Sequence, residues 1–322
     1  MEISRLWAAM LTRNRNDAGT DSSITLTINV GGVERLNHTF ADTTQEDQEQ
    51  AQANLYEVNV RGRGIVPAEL DGSSIRVGIR GNDAWRPEHF MVWGERAAPF
   101  FGTEVIPLAI ETGITTQIST DPAEGPSSFP LRLVGKGNRT MPINRLFMLL
   151  TTAGEPDDGD IIAEGLGPQG TDSPIEIQIV SEGRLVVLSE ISETHQDDLE
   201  LGGANFYSAP VITPFTRNSL DDRSITLRVK GLDSWGPASF FLFGLDDAAG
   251  RPEFLVPLVH LPQWPFGLME ADSTTGVASV TLPLVPDRSF PGDDEVVATL
   301  RSMASGQERI IELLQKLVAK QE

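Results

Sequence analysis

Histidines and paired acidic residues are the side chains of this sequence best suited to catalysis or metal binding. The chain has no cysteine, which excludes thiolate nucleophiles and cysteine-ligated metals. It also lacks GxSxG, Walker and HExxH motifs. The histidines do not occupy matching places in the two related segments described below, so we predict an ordinary structural role for each and no catalytic site. They are His38, His89, His195 and His260.

Cofactor and metal sites are not predicted, although two patterns bear on them. GLGPQG at 165–170 matches the dinucleotide pattern GxGxxG, but Pro168 interrupts it and the strand-like IEIQIV follows where a helix is needed. Acidic pairs offer oxygen ligands that Ca²⁺ prefers, and solvated acidic loops are the other interpretation. The pairs are Asp157-Asp158, Asp197-Asp198 and Asp246-Asp247.

An Asp-x-Trp-x-Pro element occurs twice and supplies the candidate binding residues, Asp83, Trp85, Asp233 and Trp235. It lies in segments 70–95 and 220–245, which share ten of 26 residues without a gap. One interpretation is a connection between strands, in which Asp accepts backbone N–H bonds and Trp covers a core. The other places an exposed Trp at the rim, as an anchor for a lipid, a glycan or a protein.

The segments that position these residues are predicted to be short strands. Ile225, Leu227 and Val229 alternate with polar residues, which is the period of a half-buried strand. A second pair of strand-like segments, ANLYEVNV (53–60) and ANFYSAPV (204–211), also corresponds between the two parts of the chain. The two segments are identical at Ala, Asn, Tyr and the final Val. Many short strands with Gly and Pro turns predict a mainly β protein with two tandem, duplicated antiparallel β-sandwich domains.

Helices are predicted only at the two ends of the chain. Apolar residues near the N-terminus follow helical spacing: Ile3, Leu6, Trp7, Met10 and Leu11. The predicted organisation is therefore an N-terminal helix and linker (1–20), a first sandwich (21–154), an acidic linker (155–171), a second sandwich (172–288) and a C-terminal helix (289–322).

The C-terminal segment carries a heptad pattern of an amphipathic or coiled-coil helix. Its a and d positions are Leu300, Met303, Gln307, Ile310, Leu314 and Leu317. The adjacent e positions are apolar too, so the stripe is wider than a two-stranded coiled coil needs. We expect this helix to form an oligomer of three or more copies, or to bind a protein partner.

Charge narrows the possible partners. Lys and Arg number 25 and Asp and Glu number 46, giving a net charge of −21. Nucleic-acid binding needs a basic surface, so this balance argues against it, and it disfavours adsorption to anionic lipid. No apolar run reaches the length of a membrane span, and the N-terminal residues lack a signal-peptide pattern. We therefore expect a cytoplasmic protein.

The order of these elements resembles the PLAT (lipoxygenase-homology) β-sandwich, over roughly 22–118 and 173–260. The residues that carry the resemblance are Asp198, Gly202, Asn205, Phe206, Tyr207, Leu220, Ile225, Leu227, Val229, Asp233, Trp235 and Pro237 in the second copy. In the first copy they are Asn54, Tyr56, Leu70, Ile75, Val77, Ile79, Asp83, Trp85 and Pro87. The resemblance implies a non-catalytic module that targets membranes or proteins, sometimes with Ca²⁺.

The function that we expect is a non-enzymatic binding or assembly protein that oligomerises through its C-terminal helix. A Ca²⁺- or lipid-dependent membrane-targeting module is one alternative. A structural subunit of a phage-like or other large particle is a second, and an enzyme of unrecognised type is a third.

Overall fold

Strands make up most of the part of the protein that the structure describes. The computed structural model describes residues 1–40, 48–98, 102–153, 170–191, 199, 203–247, 253–271 and 276–286. Within this part of the chain the helical elements are two single 3₁₀ turns, Pro67–Glu69 and Arg217–Ser219, and no helix is long and apolar enough to cross a membrane. The fold is therefore mainly β, as the sequence predicts.

The strands fall into two halves of the compact unit Met1–Val285. Strands of the first half are β1 (Arg5–Thr12), β2 (Ser23–Val30), β3 (Val33–Phe40), β4 (Ala53–Asn59), β5 (Ile75–Arg80), β6 (Ala84–Trp85), β7 (Pro87–Ala98), β8 (Gly102–Thr112), β9 (Ile118–Ser119), β10 (Ser128–Pro130) and β11 (Gly135–Lys136). Strands of the second half are β12 (Ile143–Thr152), β13 (Ile175–Ser181), β14 (Arg184–Ile191), β15 (Ala204–Phe215), β16 (Ile225–Val229), β17 (Pro237–Leu245), β18 (Phe254–Leu261) and β19 (Ser279–Thr281).

One nine-stranded sheet runs through both halves in the order β11-β18-β17-β12-β15-β4-β1-β7-β8. The halves join where Ala53 of β4 pairs with Ala204 of β15. They join again at the other end, because Val134 N donates to Leu108 O of β8 and Gly135 N donates to Glu253 O beside β18. The sheet therefore curves until its two ends meet.

Each half also has an outer four-stranded sheet that packs on the nine-stranded one. The orders are β10-β5-β2-β3 in the first half and β14-β13-β16-β19 in the second. Between the layers lie two apolar clusters, the first outer core around Leu6, Ile24 and Trp85 and the second outer core around Leu146, Ile175 and Trp235. All six of these side chains are fully buried.

A third apolar cluster, the shared core, lies on the opposite face of the nine-stranded sheet and draws on both halves. Side chains alternate along a strand, so β1 sends Leu6 to the first outer core and Trp7 to the shared core. The shared core contains Trp7, Ala9, Met91, Trp93, Phe147, Leu149, Phe241 and Phe243.

The halves use strands in matching order and register. β1 pairs with β4 and β7, and β12 pairs with β15 and β17. In the outer sheets, Ile24 of β2 lies opposite Ile79 of β5, and Ile175 of β13 lies opposite Val229 of β16. Leu131 N donates to Ile75 O, and Leu282 N donates to Ile225 O.

The predicted N-terminal helix is wrong, because residues 5–12 form the central strand β1. β1 has an apolar core on each side, so its side chains are almost all buried and the run has no polar alternation. A continuous apolar run of this kind fits helical spacing by chance. Its counterpart is β12, which aligns as Ile-x-Arg-Leu from residue 3 and from residue 143.

The predicted boundary at residue 154 is also corrected. It assigns residues 143–152 to the first sandwich, yet β12 pairs with β15 and β17 of the second half. The acidic segment predicted as the interdomain linker, 155–171, lies outside the described residues except for its last two. The predicted C-terminal helix lies outside them too.

Candidate functional site

The two tryptophans proposed from sequence as binding anchors are buried. Trp85 and Trp235 are both 0% exposed. Trp85 Nε1 donates to Thr12 Oγ1 at 2.9 Å, and Trp235 Nε1 donates to Thr152 Oγ1 at 3.0 Å. The interpretation as an exposed rim anchor is therefore wrong, and each tryptophan fills its own outer core.

At each aspartate of the same element, a serine hydroxyl holds the backbone of a tight connection. Asp83 N donates to Ser22 Oγ, and Asp233 N donates to Ser173 Oγ, both at 3.0 Å. The Asp233 carboxylate accepts from Asp172 N at 3.2 Å. These contacts leave little space, since a Cβ on Gly231 would lie 2.0 Å from Ser173 Oγ. The element is a structural connection in both halves.

The three histidines that the structure describes all pack against aromatic rings. His38 of β3 contacts Phe40, with ring centroids 4.9 Å apart, and partial burial lowers its pKa. His89 of β7 packs on Phe147 and Phe206 from the second half. Burial lowers the pKa of His89, although the neighbouring carboxylate of Glu88 opposes the shift. His195 lies outside the described residues.

His260 takes part in a buried polar group that sequence reasoning did not find. Its Nε2 lies 2.8 Å from Glu95 Oε1, and that oxygen also accepts a hydrogen bond from Trp7 Nε1 at 2.7 Å. The side chains of His260 and Glu95 are only 7% and 9% exposed. An ionised carboxylate only accepts hydrogen bonds, so the proton in the contact belongs to Nε2. Arg5 adds a positive charge 3.8 Å from Glu95 Oε2.

The surroundings of Glu95 keep its carboxyl group ionised. Burial raises its pKa, but hydrogen bonds from His260 and Trp7 and the charge of Arg5 outweigh burial, so that the pKa lies below its ordinary value. Two polar atoms nearby have no hydrogen-bond partner among the described residues, His260 Nδ1 and Trp93 Nε1. The site therefore keeps the negative charge of Glu95 inside an apolar core and fixes the orientation of the His260 ring through its hydrogen bond.

Comparison of the halves supplies a sequence signal for this group. Glu95 and Leu245 occupy matching positions, opposite Arg5 and Arg145 respectively. His260 matches Ile110, since these residues pair with Phe241 and Met91. A polar residue on one half therefore stands where the other half has an aliphatic one.

The acidic pair that the structure describes is occupied by other side chains. Asp246 Oδ1 accepts from Asn144 Nδ2 at 2.8 Å, and Asp247 forms an ion pair with Arg145 at 2.9 Å. Asp157-Asp158 and Asp197-Asp198 lie outside the described residues. Within the described part of the chain, no group of three or more acidic, histidine or cysteine side chains is arranged to hold a metal ion.

The second half has two surface features that bear on binding. An open depression of about 420 Å³ lies between the β13–β14 turn and the Asn218–Ser224 loop, with Glu182, Asp221 and Arg223 in its lining. On β14, Leu185 and Leu188 are 41% and 50% exposed. Register places them at the positions of Glu34 and Asn37 on β3, which are exposed and polar.

Comparison with known proteins gives no relative: no family model, no curated protein and no solved structure matches the chain.

Proposed function

We propose that the protein is a non-enzymatic assembly protein, whose body carries a protein-binding face and whose C-terminal segment joins copies. The observation that carries the proposal is the apolar face of β14. Leu185 and Leu188 lie in water, while the matching residues of β3 are a charged and an amide side chain. Large aliphatic side chains gain about 1.5–3 kcal/mol each on full burial, so such a face favours a partner surface.

A third exposed aliphatic residue of the second half lies on a different strand. Ile212 of β15 is 61% exposed, and the aligned ANLYEVNV and ANFYSAPV segments place it at the position of Arg61. Three aliphatic side chains of the second half therefore replace polar ones of the first. Because β3 and β14 share register, folding alone does not explain the two leucines of β14, and in the opposite sense the exposed Val33 of β3 matches Arg184 of β14.

The proposed body is an internal duplication of two β-sandwiches that share the nine-stranded sheet. Matched pairings in the outer sheets and the matched Trp85 and Trp235 support it. A PLAT-like character remains a proposal that rests on the sequence resemblance, as does a cytoplasmic location.

The C-terminal heptads supply the proposed self-association. Apart from Gln307, their a, d and e positions are apolar over residues 297–318, which suits three or more copies better than two. A body with one binding face and a self-associating tail suits a structural subunit of a large particle, such as a phage-like one.

Light scattering in solution tests the proposal. We expect a mass several times the 35.0 kDa of one chain at micromolar concentration. Ile310→Asp with Leu314→Asp should lower it. Leu185→Glu with Leu188→Asn, which copies the first half, should lower the mass or abolish partner binding. The matched control is Glu34→Gln with Asn37→Gln on β3. A native protein that is monomeric, with no effect of the β14 change on any partner, contradicts the proposal.

The membrane-targeting alternative predicts a different result. Liposome flotation should then show Ca²⁺-dependent binding to anionic vesicles. The pairing of Asp246 with Asn144 and of Asp247 with Arg145 gives that alternative no support from the described loops. Flotation that requires Ca²⁺ would replace the assembly proposal by it.

A further inference from the structure

The buried polar group in the shared core joins the two halves of the chain. The first half supplies Glu95 from β7 and Trp7 from β1, and the second half supplies His260 from β18. The hydrogen bond between Glu95 and His260 spans 165 residues of sequence. Around it the shared core is aromatic, with Phe241 5.0 Å from the ring of His260. A polar contact therefore crosses the interface between the halves inside an apolar environment.

The same interface has a second site, where the matching residues are apolar. Leu245 matches Glu95, and Ile110 matches His260, as the strand registers show. Leu245 and Ile110 are 1% and 0% exposed and both belong to the shared core. The two halves thus present different surfaces to each other, and one of the two matched sites is polar.

This difference between the two sites distinguishes the native pairing, of a first half with a second half, from the pairing of two like halves. Two chains could also pair first half with first half and second half with second half, because the sheets match in order and register. Like pairing of first halves would place the Glu95 carboxylate against Ile110, and like pairing of second halves would place His260 against Leu245. In such a pairing Glu95 would keep Trp7 and Arg5 of its own half but lose the imidazole, so one of its two hydrogen bonds would be missing inside the core, which is destabilising.

We propose that the Glu95–His260 pair is a recognition contact by which a first half accepts only a second half as its partner. Buried polar groups can select one pairing of otherwise similar apolar surfaces. The contact makes residues 1–285 close as a body with one half of each kind, and like halves from two chains are rejected. The inference concerns this body alone, and does not depend on the β14 face or on the C-terminal segment.

A double-mutant cycle on the full chain tests the contact. The variants are Glu95→Leu, His260→Ile and the combination of both, which copies the residues of the second site. Each single change leaves one buried polar group without its partner, so its urea midpoint should fall. The combination removes both members of the pair and leaves only the Trp7 indole N–H without its acceptor, as Glu95→Leu also does, so its midpoint should lie above that of Glu95→Leu. Fluorescence reports the transition, since Trp7 and Trp93 stack beside the pair.

Pairing fidelity requires a second readout, because a contact that only adds stability would not change it. Ile310→Asp and Leu314→Asp are included in all chains to remove association through the heptads. The chains are unfolded in urea, refolded over a hundredfold range of concentration and weighed by light scattering. The parent should refold to one-chain mass throughout. The combined Glu95→Leu and His260→Ile variant should give a two-chain fraction that grows with concentration.

Two results would overturn the inference. The first is a combined variant that loses as much as the two single variants together, or that fails to fold. The second is a combined variant that refolds to one-chain mass as faithfully as the parent at every concentration. A recovered midpoint together with concentration-dependent two-chain species supports it.

Discussion

The two outer cores match each other closely, whereas the shared core between the halves does not. Each outer core has a buried tryptophan that donates to a threonine of the central strand. In the shared core, Trp7 matches Phe147, Trp93 matches Phe243, Glu95 matches Leu245 and Ile110 matches His260. The outer cores of the two halves are therefore similar at matching positions. In the shared core, the residues that one half contributes differ from the residues that the other half contributes.

The comparison separates two physical demands on the sequence. An outer core must fill the space between two sheets, and apolar side chains at matching positions, such as Trp85 and Trp235, do so in each half. The shared core must in addition fit two unequal partners, and unequal aromatic and polar residues supply that. The exposed surfaces differ for a separate reason, since β3 faces water and β14 is proposed to face a partner.

The largest expected effect lies in the matched outer cores. Trp85→Ala and Trp235→Ala should each lower the free energy of unfolding by about 3–5 kcal/mol, because each removes a fully buried indole. Urea unfolding measures both. Trp264→Ala is the control, since Trp264 is only partly buried. Losses that differ by more than about 2 kcal/mol would break the match between the outer cores.

A smaller effect is expected in the shared core. Glu95→Gln should cost about 1.5–3 kcal/mol at neutral pH, because hydrogen bonds to a charged group are among the stronger ones. Leu245→Met at the matching position should be nearly neutral. The cost should also depend on pH. The pKa of folded Glu95 lies below its ordinary value of 4.5, so the stabilisation is present above pH 4.5 and is lost as pH falls through the folded pKa. A cost that persists unchanged to lower pH would mean that the charge of Glu95 plays no part.

Below this come the hydrogen bonds of the matched tryptophans. Thr12→Val and Thr152→Val should each cost about 1–2 kcal/mol, because each leaves a buried indole N–H without an acceptor. Thermal unfolding of both variants, with Thr12→Ser and Thr152→Ser as controls that keep the hydroxyl, measures the cost. A valine change that is harmless in one half only would show that the two sites are not equivalent.

The smallest expected effect concerns the turns that enter β3 and β14. Glu182 has a φ of 49° where the first half has Gly31 at 57°. Left-handed backbone favours glycine, so Glu182→Gly should raise stability by about 0.5–1 kcal/mol and Gly31→Glu should lower it by a similar amount. Calorimetry at one protein concentration measures both. Destabilisation by Glu182→Gly would show that the glutamate side chain contributes contacts of its own.

Sequence patterns predicted what depends on local physics. Period-two alternation located β13 and β16. β1 was not predictable in this way, because a strand buried on both faces has no alternation to read.

Long-range features were beyond sequence patterns for a different reason. Nothing local to Glu95 or His260 indicates that they meet, because their contact depends on the curvature of the whole sheet. The pairing of Ala53 with Ala204, which joins the two halves, is not predictable from local sequence either. Nothing in either strand indicates which strand will lie beside it. The signal that did exist lay in the mismatch of aligned positions, such as Glu95 against Leu245.

The continuous sheet between the halves can be tested by one disulfide, since the chain has no cysteine. Ala53 and Ala204 lie opposite each other on antiparallel strands, where Cα atoms are about 4.5–5.5 Å apart, within the range of a disulfide. The chain with Ala53→Cys and Ala204→Cys should therefore oxidise to an intramolecular disulfide in the folded state and keep no titratable thiol. Ala53→Cys with Ala209→Cys, which are not opposite, should keep both thiols. Free thiols in the first variant under the same oxidising conditions would contradict a single sheet that runs through both halves.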